Sequence, residues 1–209
     1  MIEQCSIRIL SVDDHPLFRE GIATVIKNQG DMLLLAEAAS GGEALQQFRE
    51  HRPDVTLMDL RLPDMSGTDA LIAIRTEFPE ARVIMLTTFS GDVDIRRSLE
   101  AGACGYLLKN MPPKELVEAI RQVQAGKKPL PAEVATQLAE YFGDDPLSER
   151  EVDVLRQVAS GNRNREIGER LFITEETVKV HIKHIMEKLG AAGRTQAMAI
   201  AVRRGIIQL

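Results

Sequence analysis

Over the first 125 residues a short apolar run alternates five times with a segment of helical period, and no other feature limits the possible folds as much. The runs are Ile7 to Val12, Met32 to Ala38, Val55 to Leu60, Arg82 to Leu86 and Gly105 to Leu108. Runs of this length, partly β-branched and bounded by Gly, Pro or Asp, read as buried strands. Between them, Pro16 opens a segment with Leu17, Ile22, Val25 and Ile26 on its apolar side, stopped at Asn28-Gln29-Gly30. Gly42 to Glu50, Thr68 to Phe78, Asp92 to Ala101 and Pro112 to Ala125 supply four more helices, with Gly102 and Gly126 as C-terminal stops for the last two.

Five strands alternating with five helices imply a parallel sheet covered on both faces, a doubly wound, flavodoxin-like (βα)5 fold. All strands of such a sheet end on one edge, where α/β proteins place their ligand sites. Asp13 and Asp14 follow the first strand, Asp59 ends the third, Thr87 follows the fourth and Lys109 the fifth. Three carboxylates meeting there repel one another and invite a hard divalent cation, for which Mg²⁺ is suited. A lysine and a threonine beside them can hold phosphoryl oxygens. Each residue also has a plainer reading: Asp13 and Asp14 as caps of the next helix, Thr87 as a strand terminus, Lys109 as a solvated charge. Their coincidence at matching strand ends favours a site.

The bulk properties are those of a soluble chain. No apolar run approaches the ~18 residues of a membrane span, and Met1 to Ser6 lack the basic start and apolar core of a signal peptide. The expected location is the cytoplasm. Cys5 and Cys104 form no C-x-x-C pair and read as small hydrophobes. The net charge of −5 is uneven: residues 144 to 209 carry 11 Lys and Arg against 10 Asp and Glu, the rest 15 against 21. This balance argues against non-specific coating of nucleic acid by the whole surface.

Gly126 to Pro131 breaks the α/β rhythm, Ala132 to Phe142 reads as a short helix, and Gly143-Asp144-Asp145-Pro146 breaks the chain again. The expected division is 1–126, a linker with a short helix at 127–146, and a second domain at 147–209. The second domain is all helical, with four helices. Ser148 to Glu151 has capping-box spacing before the first, Asn164 to Leu171 is a short second, Thr174 caps a longer third, and Thr195 opens the fourth. Short helix, tight turn, longer helix is the helix-turn-helix layout. Val178, Ile182, Ile185, Met186 and Leu189 make the core stripe of the third helix, leaving Lys179, Val180 and Lys183 off it, with His181 and His184 nearby. Lysines reach phosphates or guanine edges and an exposed valine suits a thymine methyl; a solvated basic face is the plainer alternative.

Residues 6 to 125 resemble the receiver domain of two-component response regulators. The resemblance is carried by Asp13-Asp14, Asp59 within Met58-Asp59-Leu60-Arg61-Leu62-Pro63-Asp64-Met65-Ser66-Gly67, Thr87, Tyr106 and Lys109. It implies that Asp59 accepts a phosphoryl group from a histidine kinase or small phosphodonor. Mg²⁺ would be held by Asp14, Asp59 and the Arg61 backbone carbonyl with support from Asp13, and Lys109 and Thr87 would grip the phosphoryl oxygens while Tyr106 acts as a switch. Arg61 and Phe89 are the positions expected to tune the phosphate lifetime. Asn110 stands where many receivers have Pro, which puts a cis peptide after Lys109 in doubt.

Residues 147 to 207 resemble the LuxR-type DNA-binding domain through Leu147 to Glu151, Gly161 to Ile167, Leu171 to His181 and Lys188-Leu189-Gly190. Together the halves resemble the NarL/FixJ subfamily. The resemblance puts Lys179, Val180 and Lys183 at base edges of a double-stranded operator, and Thr177, His181 and Arg165 on its backbone. It implies a homodimer through Thr195 to Arg204, with a sensor histidine kinase as partner and RNA polymerase as a further candidate. Ala191-Ala192-Gly193 is less polar than the loop common in the family, leaving Arg194 as the phosphate contact there. The expected function is a phosphorylation-gated transcriptional regulator, not an enzyme. The alternatives are a phosphorylation-independent regulator whose receiver only dimerises, and an aspartyl-phosphate phosphatase. The phosphatase would want an acid two residues after Asp59, where Arg61 stands. Nucleotide or flavin binding would want a glycine loop after the first strand, which is lacking.

Overall fold

The computed structural model describes residues 6–88, 91–141 and 145–207. Cys5, Phe89, Phe142, Gly143 and Asp144 lie outside the described residues. The chain divides into two compact units, one carrying the five strands and one carrying the last four helices.

In the α/β unit, β1 (Ile7–Val12), β2 (Met32–Ala38), β3 (Val55–Asp59), β4 (Val83–Thr87) and β5 (Gly105–Leu108) form one all-parallel sheet in the order β2-β1-β3-β4-β5. The helices are α1 (Pro16–Lys27), α2 (Gly41–His51), α3 (Gly67–Glu77), α4 (Asp92–Glu100) and α5 (Pro113–Gln124). The central strands β3 and β4 are buried at every residue, as expected where helices cover both faces. One face packs Ile9, Leu57, Ile84, Leu86 and Leu107 against Ile22 and Ile26 of α1 and Leu116, Val117 and Ile120 of α5. Because parallel strands are in register along one direction, Val12 pairs with Met58 and Asp59 with Leu86. The last residues of β1, β3 and β4 therefore reach the same edge.

The expected apolar side of α1 needs one correction: Leu17 is 84 % exposed. With 3.6 residues per turn, Phe18, Ile22, Val25 and Ile26 share the inward stripe, and Leu17 lies a quarter turn off it. Cys104 is half-buried with a free thiol, packed at the edge of the same core. Ser40 and Ser66 cap α2 and α3 by accepting from Glu43 N–H and Asp69 N–H. Among the described residues every peptide is trans, including Lys109–Asn110.

A short helix, α6 (Ala132–Glu140), precedes the helical unit of α7 (Glu149–Ala159), α8 (Asn164–Leu171), α9 (Glu175–Lys188) and α10 (Arg194–Arg203). Val154, Leu155, Val158, Ile167, Val178, Ile185, Ala197 and Ala201 form its core. The Ser148–Glu151 capping box closes in both directions, and Lys188 at the end of α9 reaches Glu151 at 3.0 Å and the Pro146 carbonyl at 3.1 Å. That contact staples the end of the third helix to the start of the first. α10 begins at Arg194, one residue earlier than expected, on an extended Gly193 N-cap.

Candidate functional site

The strand-end residues meet as the topology requires. Asp13 follows β1 and is fully buried, and Asp59 at the end of β3 is 3 % exposed. Lys109 follows β5, and its ammonium bridges the two, 2.6 Å from Asp13 Oδ2 and 2.9 Å from Asp59 Oδ2. The Asp59 contact is an aligned hydrogen bond. Asp13 Oδ2 makes an ion pair but no aligned hydrogen bond, so this buried oxygen keeps acceptor capacity. Burial pushes the Asp59 carboxyl above its ordinary range; the charge of Asp13 adds to this, while Lys109 and the Arg61 N–H oppose it.

Ligand atoms of Asp13, Asp14, His15 and Asp59 lie within 4.8 Å of one another. Asp14 is more exposed than its neighbour, with His15 Nδ1 at 2.7 Å. The three carboxylates are hard oxygen donors, and with the free acceptor capacity of Asp13 they fit a divalent cation such as Mg²⁺. His15 had no part in the expected set, and its place beside both aspartates follows from the turn into α1. There the His15 N–H donates to Asp13 Oδ1 at 2.9 Å. Asp13 thus fixes the turn through a backbone bond, and neither aspartate is the N-cap, which is His15.

The loop after Asp59 is tightly held. Arg61 N–H donates to Asp59 Oδ1 at 3.3 Å, and Gly67 N–H to the Leu60 carbonyl at 2.8 Å. A Cβ on Gly67 would fall 1.9 Å from the Asp59 carbonyl oxygen, so only glycine fits where α3 starts beneath the site. Asp64 accepts from Gly41 and Gly42 N–H at 2.8 and 2.9 Å, the open N-terminus of α2. Those two bonds hold its carboxyl below the ordinary range. Sequence offered no sign of this bond; Asp after Pro reads only as a turn residue.

Thr87 is buried at the end of β4, and its carbonyl accepts from Lys109 N–H at 2.6 Å. Tyr106 is fully buried in β5, paired in register with Met85. Phe18 lies under the Lys109 ammonium, 4.8 Å from ring centre to Nζ. A cleft of about 520 Å³ lined by His15, Leu17, Phe18, Thr88, Lys109 and Asn110 opens beside the ammonium. Exposed Leu17 therefore borders the entrance to the carboxylates.

The second set of expected residues lies on α8 and α9. Gly168 permits their close crossing: a Cβ there would meet the Ile173 carbonyl oxygen at 2.7 Å, and Ile173 N–H bonds Gly168 O at 2.9 Å. Phe172 ends α8 in the left-handed region (φ 55°) and is exposed, and the Arg150 guanidinium donates to the Leu171 carbonyl. Val178 and Ile185 of α9 are buried, which turns Lys179, Val180 and Lys183 outward. Val180 is 47 % exposed. Thr177 is half-buried, its hydroxyl 2.8 Å from that of the N-cap Thr174, and His181 is half-buried. Arg165 is exposed on α8. Arg194 instead holds the α7–α8 loop, donating to Asn162 O at 2.6 Å and Asn164 Oδ1 at 3.2 Å.

Comparison with known proteins bears on both sites. Residues 9–121 match the response regulator receiver domain, and residues 145–201 the bacterial regulatory proteins of the luxR family. The chain is 38 % identical to the uncharacterized transcriptional regulatory protein YxjL of Bacillus subtilis, covering 97 % of this chain and 98 % of that one. It is 37 % identical to the response regulator VraR of Staphylococcus aureus, over 97 % and 100 %. Among solved structures it resembles the response regulator ChrA of a heme-sensing two-component system (34 % identity, 97 % and 100 % covered, TM-score 0.59). It also resembles RcsB of Salmonella enterica bound to a promoter in the presence of a phosphomimetic (26 %, 93 % and 97 %, TM-score 0.74). The chain belongs to the response regulators that join a receiver domain to a LuxR-type DNA-binding domain, a family of transcription factors and not of enzymes.

Proposed function

We propose that Asp59 accepts a phosphoryl group from a sensor histidine kinase or a small phosphodonor, and that this modification gates dimerisation and transcriptional control. The observation that carries the reading is the Lys109 ammonium, which follows β5, held between buried Asp13 and Asp59 at the ends of β1 and β3 of the same parallel sheet. A carboxylate oxygen of Asp59 attacks phosphorus as the bond from phosphorus to the donor atom breaks. The bonding pair stays on that atom, a histidine nitrogen of the kinase or the carboxylate oxygen of an acyl phosphate. Asp59 loses its own charge to an acyl phosphate that carries more. Lys109, released from the Asp59 carboxylate, turns to a phosphoryl oxygen, and the Thr87 hydroxyl takes another. Tyr106 is the switch side chain next in line on β5. Asp13, Asp14, Asp59 and the Arg61 carbonyl would hold Mg²⁺, which supplies charge neutralisation at the phosphoryl oxygens. Arg61 tunes the lifetime of the acyl phosphate, and Phe89, its expected counterpart, lies outside the described residues.

The output is an operator read by α9. Lys179, Val180 and Lys183 address base edges and Thr177, His181 and Arg165 the backbone. The RcsB promoter complex supports this assignment by likeness of fold. Residues Thr195 to Arg204 form the homodimer contact, RNA polymerase is the further partner, and the protein works in the cytoplasm. Division at 1–126, 127–146 and 147–209 suits a receiver, a linker and a reading domain.

Incubation with acetyl phosphate and Mg²⁺ should add the mass of one phosphoryl group to the wild type and none to Asp59→Asn. The modified wild type should dimerise and protect DNA in footprinting. An unmodified wild type, or a modified Asp59→Asn, overturns the phosphoacceptor assignment. Equal DNA protection by wild type and Asp59→Asn favours the phosphorylation-independent regulator.

A further inference from the structure

Each cation assigned above to DNA is already held by a glutamate of its own helix. Arg165 Nε is 3.0 Å from Glu169 Oε1, Lys179 Nζ is 3.1 Å from Glu176 Oε2, and Lys183 Nζ is 3.7 Å from Glu187 Oε1. Pairs one turn apart are common on solvated helices, where they add helix stability. That explanation serves for Glu175 and Glu176, acids in the first turn of α9, where the helix dipole favours negative charge.

It fails for the other two. Glu169 lies in the last turn of α8 and Glu187 in the last turn of α9, where the dipole disfavours an acid. Both pairs also place the cation before the glutamate, the weaker order for a pair four residues apart. All four side chains are well exposed, Arg165 and Glu169 at 81 % and 65 %, Lys183 and Glu187 at 71 % and 59 %. Helix stability would favour a neutral or basic residue at 169 and 187.

We infer that Glu169 and Glu187 are specificity-determining residues. Each carboxylate shields one DNA-facing cation and opposes approach of any phosphate, so Arg165 and Lys183 engage only a sequence whose contacts compensate for breaking the pair. Non-specific binding, which is almost wholly phosphate neutralisation, is suppressed most. This rests on the DNA-binding role of α8 and α9 proposed above. It also accounts for a reading domain with only a small basic excess: 11 Lys and Arg against 8 Asp and Glu over residues 147–209.

The test uses the full chain and a labelled random-sequence duplex, with binding followed by anisotropy across a KCl series. Glu169→Gln and Glu187→Gln should each bind about threefold tighter than wild type, the scale of one exposed ion pair. The log affinity should fall more steeply with log salt, by about 0.9 for one added phosphate contact. Asp153→Asn, which removes an equal charge from the Arg156 pair on α7, should gain much less. In a Lys183→Met background, Glu187→Gln should gain nothing, and helix content by circular dichroism should stay at the wild-type level throughout. No gain, an equal gain from Asp153→Asn, or a gain that persists without Lys183 overturns the inference. A wild type and variants that all leave the duplex unbound at low salt overturn the DNA-binding role itself.

Discussion

Replacing Lys109 by Met keeps most of the aliphatic stem over Phe18 and removes only the ammonium, so it isolates the charge that holds the strand ends together. The ammonium sits 2.6 and 2.9 Å from two carboxylates whose side chains are 0 % and 5 % exposed, and is itself 8 % exposed. Taking one partner from a buried ionic cluster leaves uncompensated charge and costs about 3–5 kcal/mol. The lost contact with the Phe18 ring adds about 0.5–1 kcal/mol. Part of this is recovered, because Asp59 can take up a proton. Its carboxyl is already held above the ordinary range by burial, and without Lys109 it moves further up. A group whose folded pKa is raised stabilises below its unfolded value and loses that contribution as pH rises through the folded value. The penalty of Lys109→Met should therefore be about 3 kcal/mol at pH 8 without divalent cations and shrink steadily towards pH 5. Millimolar Mg²⁺ should also reduce it, by replacing the missing positive charge. Urea unfolding of the full chain, followed by the transition of the α/β unit at several pH values, gives the numbers. In an Asp59→Asn background the same substitution should cost less than half as much, since one of the stranded carboxylates is gone. A penalty below about 0.5 kcal/mol at pH 8, or one of equal size at pH 5 and 8, would refute the account of Lys109 as the counter-charge.

Asp64→Asn should destabilise the α/β unit by about 1 kcal/mol near neutral pH by weakening the bonds to Gly41 and Gly42 N–H. Because the Asp64 carboxyl is held low, the wild-type advantage is full above the ordinary carboxylate pKa of about 3.9 and fades as pH falls through the lower folded value; urea unfolding between pH 2 and 7 reads it. Gly67→Ala should cost roughly 3 kcal/mol and impair uptake of phosphate from acetyl phosphate, since the new Cβ meets the Asp59 carbonyl oxygen. Intact mass and thermal unfolding measure the two effects. Lys188→Met should lower the thermal midpoint of the helical unit, measured by circular dichroism, because Glu151 then keeps only its capping-box partners.

Local pattern was enough for every strand, for all four parallel connections and for the four helices of the second unit. Apolar period and capping residues act over a few neighbours, as at Ser148–Glu151 or the Gly126 stop, and such signals are written in consecutive residues. Residues at the sheet edge were legible for the same reason: once strands are known to be parallel, Asp13, Asp59 and Lys109 must end together. What tertiary structure alone decided are contacts between residues far apart in the chain or a quarter turn apart on a helix. Leu17 and Phe18 are adjacent and equally apolar, yet only packing against the sheet assigns one to the core and the other to the cleft entrance. Asp64 looks like any turn aspartate until the N-terminus of α2 arrives beside it, 22 residues away in sequence. Arg194 offers a free guanidinium on paper, and folding commits it to Asn162 and Asn164. Hydrophobic period is a one-dimensional record of burial, whereas a polar group's partner is chosen by three-dimensional proximity, which the sequence does not spell out.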